Sequence, residues 1–164
     1  MIPVQPFSPR RDTNPKLAVI GGRLEDDNAA VYREMHRLAG GRILVFATAS
    51  SEPGTVGPDA LAVFQTHGFD AALAPVHGDK AAAAVHDPAV LDLVRDYGSV
   101  YFTGGDQTLI TRTLAPDGRE TPLLKVIREI YARGGLVAGS SAGAAMMSDT
   151  MIEGGTSLEA TTFG

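Results

Sequence analysis

The sequence predicts an α/β fold, a mostly parallel sheet with helices on both faces. Three observations predict it. Short apolar runs end in glycine or small polar residues, each is followed by a stretch of helical period, and the runs are apolar throughout. Strands covered on both faces read in that continuous way, whereas half-exposed strands alternate. Lys16 to Ile20 (KLAVI) runs into Gly21-Gly22, and Arg42 to Ala47 (RILVFA) into Thr48-Ala49-Ser50-Ser51. Ser99 to Phe102 (SVYF) leads to Thr103-Gly104-Gly105, and Leu136 to Ala138 (LVA) to Gly139-Ser140-Ser141. A weaker run, Ala71 to Pro75, adds a further strand.

Between the runs, Asp27 to Leu38 sets Ala30, Val31, Met35 and Leu38 on one helical face, with Asp26 or Asp27 as the N-cap and Gly40-Gly41 as the stop. Pro88 to Tyr97 and Pro122 to Ala132 follow the same plan, with proline in the first turn and Gly98 or Gly134 at the end. The run Ala81 to Ala84 reads as a helical turn packed tightly on a neighbour. Pro3, Pro6, Pro9 and Pro15 make residues 1–15 an extended arm. Residues 16–155 form the α/β domain and 156–164 a Ser/Thr-rich end.

Composition bounds the function. The chain has 164 residues, 44% of them hydrophobic and 20% charged, which suits one packed core. Its net charge of -5 is scattered without a basic stripe, so the electrostatic footprint of a nucleic-acid binder is missing. With no cysteine, disulfides, thiolate zinc sites and cysteine nucleophiles are excluded. No apolar run reaches the ~20 residues of a membrane span, and the first residues lack a secretory signal's apolar stretch. The expected location is the cytoplasm.

In parallel sheets ligands sit beyond the carboxyl ends of the strands. That rule selects the loops at Gly21-Gly22-Arg23, Thr48 to Ser51, Thr103 to Gln107 and Gly139 to Gly143. The last is a strand, a G-x-S-x-G turn and a helix-forming run, which lifts a serine hydroxyl above the sheet and makes Ser141 the candidate nucleophile. The same bend puts the amide of Ala142 at a helix start, where it can hold an oxyanion. A serine serving only as a helix cap is the competing reading. Thr103-Gly104-Gly105-Asp106-Gln107 adds a second exposed amide at Gly105 and a side-chain amide at Gln107. Alone, this stretch also reads as a turn with Asp106 as an N-cap. Gln107, Ser140, Asp106, Ser50 and Ser51 are the candidate substrate contacts.

Gly21 to Asp26, Ala47 to Pro53, Phe102 to Gln107 and Gly139 to Ile152 resemble, in order, the signature segments of the cyanophycinases, in the peptidase E group of serine peptidases. The fold of that group is similar to class I glutamine amidotransferases. The resemblance implies that Ser141 is the nucleophile, that Gly105 and Ala142 supply the oxyanion amides, and that Gln107 contacts substrate. It implies a small peptide or β-aspartyl amide substrate and a homo-oligomer. It also implies a histidine base after the serine segment, and here His36, His67, His77 and His86 all precede Ser141. A serine without a base in reach is a poor nucleophile. The expectation is therefore an N-terminal part, completed by a second chain or segment that carries the histidine, with autoproteolysis after Gly164 as one origin of such a split. An N-terminal threonine or serine hydrolase created by that cut, and a non-catalytic binding subunit using the same cleft, are the alternatives.

No cofactor and no metal are expected. His67, His77, Asp79 and His86 lack a ligand spacing, Gly21-Gly22-Arg23 lacks the third glycine of a dinucleotide fingerprint, and Glu25-Asp26-Asp27 reads as a helix cap beside the cleft. Tyr97 and Tyr101 read as core or rim residues.

Overall fold

The computed structural model describes residues 14–152. Most of the proline-rich arm and the whole 156–164 end, with its suggested cleavage point, lie outside the described residues. The elements run β1 (Lys16–Ile20), α1 (Ala29–Ala39), β2 (Arg42–Phe46), α2 (Pro53–Thr66), β3 (Asp70–Leu73) and α3 (Ala81–Ala84). They continue with α4 (Pro88–Tyr97), β4 (Val100–Phe102), α5 (Gln107–Leu114), α6 (Pro122–Ala132), β5 (Leu136–Ser140) and α7 (Ala142–Ala145).

All strand pairs are parallel, in the order β1-β5-β4-β2-β3. The α/β class expected from the sequence is the one observed. The apolar runs fail to alternate because both faces are packed. On one face Tyr32 and Met35 of α1 and Phe64 of α2 meet Ile43, Val45, Tyr101, Leu136 and Ala138. On the other, α3 to α7 cover Leu44, Phe46, Val100, Phe102 and Val137. Ala81 and Ala84 are buried in this second layer, as the alanine run suggested. β5 lies between β1 and β4, with Gly139 opposite Val19 and Phe102, so the serine turn emerges inside the sheet.

The glycine stops after α1 and α4 are left-handed C-caps at Gly40 (φ 65) and Gly98 (φ 67). At the start of α1 the structure corrects the sequence reading. Asn28, not Asp26 or Asp27, is the N-cap, its side chain accepting from the Val31 amide at 3.3 Å. Ala30 is exposed, and the buried positions are Tyr32 and Met35. The loop 21–28 thus runs longer over the sheet before the helix starts. The weak strand is Asp70–Leu73, not Ala71 to Pro75.

Two helices have no counterpart among the helical segments singled out from the sequence. α2 contains Pro53, Gly54, Gly57 and Pro58. It forms because Pro53 occupies the first turn, where no donor is lost, and because Gly57 brings the helix close to the sheet. A Cβ at Gly57 would already touch Leu73 at 3.4 Å. α5 is a short amphipathic turn anchored by buried Ile110 and Leu114.

The last long helix before the site is capped by Thr121, whose Oγ1 accepts from the Leu124 amide at 3.2 Å and donates to the Leu114 carbonyl at 2.8 Å. Thr121→Ala is expected to lower stability in urea unfolding by about 1 kcal/mol through loss of this cap.

Candidate active site

Ser141 stands where β5 turns into α7. Its backbone is at φ 50, ψ -114, a region that a residue with a side chain occupies only at a cost of about 1–3 kcal/mol. The surroundings impose it. The Ser141 amide donates to the Ile20 carbonyl at the end of β1 (3.0 Å), and its carbonyl accepts from the amides of Ala144 (3.0 Å) and Ala145 (2.9 Å). The flanking glycines of G-x-S-x-G are required by close approach. A Cβ on Gly139 would lie 2.4 Å from the Gly143 carbonyl oxygen, and one on Gly143 would lie 2.2 Å from the Phe102 carbonyl oxygen. α7 can therefore start flush against β4 and β5, and the serine, which is exposed, is pushed out above the strand ends.

The neighbouring loop is equally constrained. Gly105 has φ 140, and a Cβ there would lie 2.1 Å from the Ala49 carbonyl oxygen. That carbonyl is taken by the amide of Asp106 (2.8 Å). Among the described residues the amides of Gly105 and Ala142 have no hydrogen-bond acceptor. Gly104 lies beside the serine; a Cβ there would stand 3.2 Å from Ser141 Cβ.

The remaining candidate residues divide. Ser140 is 6% exposed and its Oγ accepts from the Tyr101 hydroxyl at 2.7 Å. Ser140, Ser141 and Gly104 line a cleft of about 620 Å³ on the α1/α2 face of the sheet. Gln107 is not in that cleft. It lines a shallower hollow with Ser141 and Ala142 on the α5/α7 side, and its Nε2 donates to the Ile152 carbonyl at 2.6 Å. Asp106 acts as the N-cap of α5, its carboxylate accepting from the Thr108 amide (2.8 Å) and Oγ1 (2.7 Å). These bonds hold its carboxyl below the usual aspartate range. Ser50 is a turn acceptor for the Glu52 amide (2.9 Å), and neither it nor exposed Ser51 lines either hollow.

Two tyrosines complete the cleft and carried no functional weight in the sequence. Tyr101, at the floor, has its phenol pushed up by burial, with the Ser140 bond opposing the shift. Tyr32 reaches the cleft from α1, and burial together with nearby Tyr101 and Asp26 pushes its phenol well above the ordinary tyrosine value. Its i, i+3 relation to Met35 on α1 was the available signal. No histidine lines either hollow at Ser141. His67 instead stacks on Tyr32 (ring centroids 4.0 Å apart) and bonds the Asp26 carbonyl through Nε2 at 2.8 Å. Among the described residues no group of three histidine, aspartate or glutamate side chains is placed to hold a metal.

The model of peptidase family S51 matches residues 17–161. The chain belongs to this family. Cyanophycinase of Trichormus variabilis is 30% identical over 155 residues, covering 90% of this chain and 49% of that protein. Cyanophycinase of Geminocystis herdmanii is 31% identical over 149 residues, covering 87% of this chain and 52% of that protein. This S51 chain thus spans about half the length of the curated relatives it matches. A peptidase crystal structure from an acI-B1 actinobacterium superposes with a TM-score of 0.66 at 26% identity, over 82% of this chain and 56% of that one. A protein of Listeria monocytogenes described as a putative peptidase E shares the fold, with a TM-score of 0.61 at 19% identity over 89% and 64% of the two chains. Among the described residues no helix is long and apolar enough to cross a membrane.

Three outcomes follow from this geometry. Gly143→Ala should destabilise by more than about 2 kcal/mol in urea unfolding, because the clash is with backbone of β4. Ser141→Gly should raise stability by about 1 kcal/mol, since glycine adopts the positive φ without strain. Asp106, depressed in the folded state, stabilises above the ordinary aspartate pKa of about 4 and loses that contribution as pH falls through its lower folded value. The stability gap between wild type and Asp106→Ala should accordingly be constant near neutrality and shrink only below about pH 4.

Proposed function

We propose that this S51 chain is the nucleophile-bearing part of a serine hydrolase that cleaves peptide or amide bonds, β-aspartyl ones in keeping with its cyanophycinase relatives. The observation that carries the reading is the strained Ser141, exposed at a strand-to-helix corner beside two amides that lack acceptors among the described residues.

In the proposed step Ser141 Oγ attacks the carbonyl carbon and passes its proton to a base. The carbonyl oxygen becomes an oxyanion that accepts from the Gly105 and Ala142 amides. Collapse expels the amine, which takes the proton, and leaves an ester on Ser141; water then attacks the ester and releases the acid. The base in this reading is a histidine from a second chain or segment, corresponding to the part of the relatives that the match does not cover. The elbow contributes in advance of the reaction. Its strain is sustained by packing at Gly139 and Gly143, so the hydroxyl has no reorientation to make when substrate arrives.

A serine-reactive fluorophosphonate tests the reading. Applied to the protein together with the histidine-bearing half, it should label Ser141, and Ser141→Ala should abolish labelling. An unlabelled wild-type assembly would leave the chain a binding subunit that uses the same cleft.

A further inference from the structure

The cleft on the α1/α2 side of Ser141 contains a polar group without a partner. Tyr32 is 4% exposed and lines the cleft, and its hydroxyl has no hydrogen-bond partner among the described residues. No side-chain polar atom that is itself fully buried lacks a partner among those residues. The Tyr32 hydroxyl therefore keeps its small exposure through the cleft, as a buried phenol whose bond is left for an incoming group. The ring is held in place, edge-on to Phe64 (centroids 5.3 Å apart) and stacked on His67. Burial keeps the phenol protonated, and although its oxygen can also accept, its O–H is satisfied only by an incoming acceptor.

The rest of the lining narrows the chemistry. Leu24, Val56, Val63 and Phe64 make apolar walls. At the rim Asp26 is ion-paired with Arg23 at 3.7 Å, while Asp59 has no hydrogen bond or ion pair among the described residues. A carboxylate would satisfy Tyr32 but meet the Asp59 charge. A guanidinium or ammonium would suit Asp59 but offer no acceptor to the phenol proton. A neutral carboxamide supplies both, its oxygen to Tyr32 and its nitrogen to Asp59.

We propose that the cleft is a subsite for a neutral amide group on an apolar stem, bound through the Tyr32 hydroxyl and the Asp59 carboxylate. This rests on the hydrolase reading only for its purpose, which is to hold part of the substrate of Ser141. The subsite itself is a binding property and is tested without turnover.

The probes are hydrocinnamamide, hydrocinnamate and phenethylguanidine, which share a stem and differ in the head group. Their binding to the chain is measured by chemical-shift titration near neutral pH. Hydrocinnamamide should bind at least about fivefold more tightly than either charged analogue. Tyr32→Phe, which keeps the ring contacts, should weaken it about fivefold, and Asp59→Asn, a surface change on α2, about two- to threefold. Equal binding of the probes, preference for a charged one, no saturable binding, or unchanged affinity in the Asp59 and Tyr32 variants would each overturn the subsite. If Tyr32→Phe does not fold, Asp59→Asn and the probe order decide. Labelling of Ser141 without amide binding would sink this inference alone. Selective amide binding without labelling would support the subsite and count against the hydrolase.

Discussion

The site depends on one steric fact, the backbone-to-backbone approach of α7 to β4 and β5. With a Cβ on Gly143 only 2.2 Å from the Phe102 oxygen, the chain has no room for any side chain there. The helix can then begin two residues after the strand's last residue, and the single intervening residue takes a positive φ. Ser141 is that residue. Its strain is sustained by burial of Ala142 and Ala144 in the layer beneath and by the bond from its amide to Ile20. The Ala142 amide, without an acceptor among the described residues, is a by-product of the same corner, since the first donors of a helix have no partner within it.

The parallel sheet explains why the cleft has different walls on its two sides. β5 lies between β1 and β4, and the layers above and below are distinct sets of helices. On the α1/α2 side the space beside Ser141 is bounded by phenols, aliphatic side chains and the carboxylates of Asp26 and Asp59. On the α5/α7 side it is bounded by Gln107 and the segment 148–152, which bond to each other through the Ile152 carbonyl. The two hollows meet at Ser141, one floored by phenols between α1 and α2, the other shallower and walled by Gln107, Met151 and Ile152.

Legibility in the sequence followed the range of the interaction. Strands, glycine stops and proline starts were readable because burial on both faces, left-handed caps and a fixed φ are written residue by residue. α2 was not, because its prolines and glycines oppose helix locally and the helix exists through its fit against β3 at Gly57 and Leu73. The cap of α1 slipped to Asn28 because Asp26 has another position, with its carbonyl held by His67, the residue that follows α2. Asp106, Ser50 and Ser51 had the right residue types beside the right strands, yet Asp106 and Ser50 spend their acceptors on local turns and Ser51 faces solvent.

By itself the sequence determined the layered α/β class, the corner at Ser141 and the small residues around it, since these follow from periodicity and from the volume of single side chains. Only the tertiary structure decided which polar groups share a cavity. Tyr32, Asp59, Tyr101 and Ser140 come from four separate elements. Their meeting depends on strand order and on how deeply each helix seats, and those distances are sums over many contacts that no local pattern contains.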